Sequence, residues 1–102
     1  MNSESELIDD ARYAIGKLRK EQIELLHHID QLEADIRKPA PKIPTEQKIL
    51  AMSSTERKKL MQARADREFR LRDLQGSRQR LKFIEDELIN WQQRLHNAQV
   101  RI

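Results

Sequence analysis

From Ile8 onward the apolar residues recur at alternating steps of three and four: Ile8, Ala11, Ile15, Leu18, Leu25, Ile29, Leu32 and Ile36, with only Gln22 polar on the stripe. That period puts them on one face of a helix, and it predicts a helix over about residues 4–37. Ser3 or Ser5 can cap its start, Asp9 and Asp10 suit the positive end of the helix dipole, and Arg37 with Lys38 suits the negative end. Pro39, Pro41 and Pro44 each fix φ and remove a donor, which marks residues 38–45 as a linker. Thr45 can cap a short helix, about 46–52, that presents Ile49, Leu50 and Met52. Ser53 and Glu56 have the spacing of a capping box and open a long helix over about 54–100. Its seam reads Leu60, Ala63, Arg67, Arg70, Leu74, Ser77, Leu81, Ile84, Leu88, Trp91, Leu95, Ala98 and Ile102. Gly76 beside the weak section of that seam costs about 1 kcal/mol relative to alanine and favours a local bend.

Two amphipathic helices joined by a short proline-rich connection favour an all-α fold, an antiparallel helical hairpin or coiled coil with a short intervening helix. The alternative is a parallel dimer of extended rods, which the isoleucine and leucine order of the first seam also suits. If Arg37 lies near residue 56, facing residues add to about 93. Ser77 then sits near Gly16, Arg67 or Arg70 faces Glu21 or Glu24, and Ile8 falls near Glu85. The first helix is used up near residue 89, and roughly 20 Å of the second seam continues uncovered. On this register Leu88, Trp91, Leu95 and Ala98 form the expected partner-binding or dimerisation surface. Phe83 joins them from a second apolar stripe, Phe69, Gly76 and Phe83, with Met61 and Ile89 nearby; the short Ile49–Met52 segment can cover only part of it. A second apolar face on one helix points to a helical bundle formed by an oligomer, most simply a homodimer.

Composition narrows the class. Hydrophobic residues are 37% and charged residues 36% of 102, too few apolar groups for a large private core. With 2 Gly, 3 Pro, 4% aromatics and no Cys, turns and strand formers are scarce and no thiolate site or disulfide is available. No apolar run approaches the roughly 20 residues that span a bilayer, and the acidic amino-terminal stretch has no signal-peptide pattern, so a soluble, cytoplasmic protein is expected.

Charge suggests the other candidate surface. Between Arg57 and Lys82 ten bases stand against three acids. Arg57, Lys58, Arg64, Arg72, Arg78, Arg80 and Lys82 could follow a nucleic-acid backbone, although Asp66 with Arg70 and Glu68 with Arg72 have the spacing of neutralising intrahelical pairs. Glu24 and His27 have a metal-binding spacing, yet His27 lies off the seam, so no metal is expected; His28 and His96 read as surface residues. Isolated glycines and the lack of any loop-lined pocket argue against an enzyme, a cofactor or a small-molecule substrate. The expected function is protein–protein interaction as a homo-oligomer, in the manner of an adaptor, chaperone or regulatory subunit, with DNA or RNA binding as the alternative.

Overall fold

The computed structural model describes the backbone of residues 3–38 and 44–100, with side chains from residue 5 onward; Pro39, Pro41 and Ile102 lie outside the described residues. Three helices follow in order, α1 (Ser3–Arg37), α2 (Glu46–Ala51) and α3 (Ser54–Val100), and no strand occurs among the described residues. Because α1 begins at Ser3, Ser5 is inside the helix and is not its cap. At α2 the Thr45 side chain accepts from the Lys48 N–H at 3.4 Å, and at the start of α3 the Ser53 hydroxyl accepts from the Glu56 N–H at 3.2 Å. Both hydroxyls satisfy donors that a helix start leaves without a partner. Through Gly76 α3 continues as helix, with negative φ there.

α1 and α3 pack side by side and antiparallel as a rod of 77 × 19 × 15 Å. Its radius of gyration is 23.0 Å, against about 13 Å for a compact domain of this length. The core is therefore a single file of side chains. One cluster joins Ile15 to Ile84 and Leu88, with Leu18, Leu25, Trp91 and Leu95 packed on it; the next joins Ile29 and Leu32 to Leu74, with Leu25, Ile36 and Leu81. Each large aliphatic buried here contributes about 1.5 to 3 kcal/mol. No described helix is long and apolar enough to cross a membrane.

The register differs from the expected one. His28 faces Asp73 at 2.9 Å and Glu21 faces Arg80 at 3.0 Å, so facing residues add to 101 in both pairs. Relative to the expectation, α3 is slid by about two helical turns. The cause is the placement of polar seam residues. Arg67 donates to the Ile36 carbonyl oxygen at 3.4 Å, so a cation meets the negative end of α1 and fills an acceptor that the helix end leaves open. In the expected register Arg67 and Arg70 would instead sit at the middle of the seam, beside Gln22 and far from any helix end. Glu21 pairs with Arg80 rather than with Arg67 or Arg70, and Ser77 is level with the residues around Leu25 rather than Gly16.

A consequence is that the overhang lies at the other end. Residues 54–62 of α3 run past the last turn of α1, roughly 13 Å by helical rise, while the carboxy-terminal seam is covered. α2 is held against this projecting end by Arg57, whose Nε and Nη2 donate to the carbonyl oxygens of Ile49 and Leu50, each at 3.0 Å. Because α2 buries none of its own residues, Arg57 is its main tether. Replacing Arg57 by methionine keeps the aliphatic stem and removes both bonds. The α2 segment is then expected to be cut faster by protease, with the melting of the α1–α3 rod changed by less than about 1 kcal/mol. A variant with unchanged cleavage of residues 46–52 would contradict this tethering.

Candidate interaction surface

The carboxy-terminal stripe does not form a bare surface. Leu88 and Ala98 are buried, and Trp91 and Leu95 are half-buried against the Ile15 cluster. Arg94 stacks its guanidinium over the Trp91 ring at 4.8 Å, covering part of what α1 leaves. The expectation of a partner at Leu88, Trp91, Leu95 and Ala98 rests on missing intrachain cover. α1 supplies that cover, because the two-turn slide carries its first turns alongside them. Phe83 is the exception, at 51% exposure.

The second apolar stripe expected on α3 resolves into two lines, not one. Phe69 and Phe83 are 69% and 51% exposed and lie fourteen residues apart with Gly76 midway. Met61 and Ile89 are also exposed, yet at 100° per residue they stand about 80° and about 120° around the α3 axis from Phe69 and Phe83. α2 leaves both Met61 and Phe69 open. The flanks can be told apart by the ion pairs. Glu21 and His28, each just before a seam residue, meet Arg80 and Asp73 on the flank that adjoins Phe69 and Phe83. Glu33, just after a seam residue, meets Arg78 at 2.9 Å on the opposite flank. Ile23 and Leu26 of α1 are exposed on that second flank, as is Ile89. These two were missed in the sequence because attention to the seam hides apolar residues one step off it; their presence among charged neighbours was the available signal.

Charge is redistributed by the same contacts. Arg57 caps α2, Arg78 binds Glu33, and Arg80 binds Glu21 while stacking over Phe83 at 5.1 Å. The ridge of Arg57, Arg64 and Arg78 is thus two-thirds engaged. Lys58, Lys59, Arg64, Arg70, Arg72 and Lys82 make no ion pair among the described residues. The pairs expected of Asp66 with Arg70 and Glu68 with Arg72 do not form; Asp66 accepts from Gln62 at 2.9 Å instead. Asp73 accepts from the buried Ser77 hydroxyl at 3.2 Å as well as from His28.

Two hollows are shallow. One of about 210 Å³ lies at the end of α1 between Asp35, Ile36, Lys38, Ala63, Asp66, Arg67 and Arg70. The other, about 360 Å³, is an open groove along α3 near Leu71, Leu74 and Arg78. Among the described residues no group of three potential metal ligands gathers, and His27 bonds Gln31 at 3.3 Å on the exposed face. What fold and surface define is a class only, an all-α hairpin rod with apolar stripes turned outward. No protein-family model, curated protein or solved structure matches the chain.

Proposed function

We propose that this chain is a non-enzymatic helical interaction protein that self-associates, most simply as a homodimer, and acts by holding another protein as an adaptor, chaperone or regulatory subunit. The observation that carries the reading is the exposure of Phe69 and Phe83 outside a seam that is already filled. Aromatic groups of this size gain most from leaving water, and neither is packed in the seam of the hairpin, Phe83 having the Arg80 guanidinium over its ring. A rod 19 × 15 Å across offers little depth for a substrate pocket, which supports binding over catalysis.

Sedimentation equilibrium tests it. The wild type is expected to sediment as an oligomer with little dependence on salt, and a Phe69→Ser, Phe83→Ser variant as a monomer. Both rings are exposed in the single chain, so the variant should keep its helicity and its stability to within about 0.5 kcal/mol. A wild type that is monomeric at all concentrations overturns the reading.

Seven cations between Lys58 and Lys82 make no ion pair among the described residues, and the six of them other than Arg67, which bonds the Ile36 carbonyl, support a second reading, electrostatic binding of DNA or RNA along α3. Such binding weakens steeply with salt as counterions are released, and its slope would shrink on replacing Arg64, Arg72 and Lys82.

A further inference from the structure

Gly76 is unexplained by the single chain. It stands at the middle of a 47-residue helix, with negative φ, and a Cβ built on it would meet nothing within 4 Å. Neither turn geometry nor intrachain packing asks for glycine, and glycine weakens a helix interior. Gly16 shares these features, but Gly76 alone lies midway between two exposed aromatic rings, where a second helix could approach closely.

The sequence around it is symmetric in a particular way. Phe69 and Phe83 lie seven residues to either side of Gly76 on the same line of the helix, and both are exposed. Beyond them on that line come Gln62 and Asn90, again equally distant and both polar. A second copy of α3 running antiparallel, related by a twofold axis at Gly76, brings each of these into register with its counterpart.

We propose that α3 crosses α3 of a second copy antiparallel at Gly76, with Phe69 of each chain packed on Phe83 of the other. This rests on the self-association proposed above and specifies its geometry. The absence of a side chain at Gly76 lets the two backbones meet closely enough for the rings on either side to touch, as small residues do wherever helices approach closely. Charge favours this direction over a parallel one. Residues 57–69 carry Arg57, Lys58, Lys59, Arg64 and Arg67 against Asp66 and Glu68, a net of +3. The stretch that they would lie beside, residues 83–95, carries Glu85, Asp86 and Glu87 against Arg94, a net of −2. A parallel pairing would set the +3 segment against its own copy. Near the axis, Asp73 and Arg80 lie on the same flank, three and four residues from Gly76, so each Asp73 comes beside the Arg80 of the other chain. Asp66 and Glu87 on that flank bring like charges together further out, and the arrangement works against that repulsion.

The chain has no cysteine, so single-cysteine variants report proximity directly. Gly16 is the control, since it too sits in an exposed helix position with nothing within 4 Å of a Cβ. Under a mild oxidant, Gly76→Cys is expected to form a disulfide-linked dimer at least about tenfold faster than Gly16→Cys, because only the first places two copies of itself at the axis. Separately, Gly76→Leu should weaken the dimer about tenfold or more by forcing the helices apart, while its monomer melts no lower than the wild type. Gly16→Ala should raise the melting temperature and leave the dimer unchanged. A wild type that dimerises while Gly76→Cys links no faster than Gly16→Cys overturns the crossing and leaves self-association standing. A wild type that never dimerises overturns both.

Discussion

Replacing Ile84 by alanine is expected to destabilise the protein by about 3 kcal/mol, within the range of about 2 to 5 kcal/mol seen for cavity-forming core substitutions. Ile84 is 1% exposed and is the most enclosed large side chain of the rod. It packs in the cluster of Ile15 and Leu88, with Leu18, Leu25, Trp91 and Leu95 around it. In a rod only two helices thick, few neighbours can collapse into the space that a lost side chain leaves, so the cavity cost is kept. Ile23→Ala is the comparison. Ile23 is 68% exposed, and its removal should change stability by no more than about 0.5 kcal/mol. Urea unfolding followed by circular dichroism would measure both, and equal losses in the two variants would contradict the described core.

Removal of residues 1–19 should have a still larger effect. It deletes Ile8, Ala11, Ile15 and Leu18 and so uncovers Leu88, Trp91, Leu95 and Ala98. At about 1.5 to 3 kcal/mol for each large side chain returned to water, the loss is comparable with the whole stability of a small protein, about 5 to 15 kcal/mol. The truncated chain is expected to keep at most the half nearest α2 packed, to melt at a markedly lower temperature and to aggregate through the exposed stripe. Trp91 is the single tryptophan and gives a direct readout: its emission should move to longer wavelength as α1 is withdrawn. An unchanged emission and an unchanged melting temperature would mean that α1 does not cover this stripe.

The helical architecture was legible because its signals are local. Proline positions end α1, Thr45 and Ser53 accept the first free N–H groups of α2 and α3, and steps of three and four mark the buried faces. Register was not legible in the same way. The seam of α3 repeats every seven residues, so a slide of one or two turns still sets apolar residues against apolar residues. What distinguishes the alternatives is where the odd members of the seam go, and Arg67 decides it by reaching the end of α1. The expected contact of Arg67 or Arg70 with Glu21 or Glu24 rests on setting Arg37 level with residue 56, and that alignment leaves out the open carbonyls at the end of α1. The candidate surface inherited that error. Leu88, Trp91, Leu95 and Ala98 follow from register and are covered, whereas Phe83 follows from its own off-seam spacing and is open.

The single-file core also determines how the molecule comes apart. In a compact domain each buried residue is held from several directions, and opening one region disturbs the rest. Here each core residue is enclosed by one opposing helix and its nearest neighbours along the seam, with Leu25, alone among the described residues, shared between the two clusters. Opening can therefore start at either end and travel inward one layer at a time, as in a zipper, stopping wherever the next layer holds. The Leu25 and Leu81 level is where the two directions of opening meet, and the chain termini can separate from each other while the half nearest α2 stays closed. A protein built this way can open at one end without surrendering its fold.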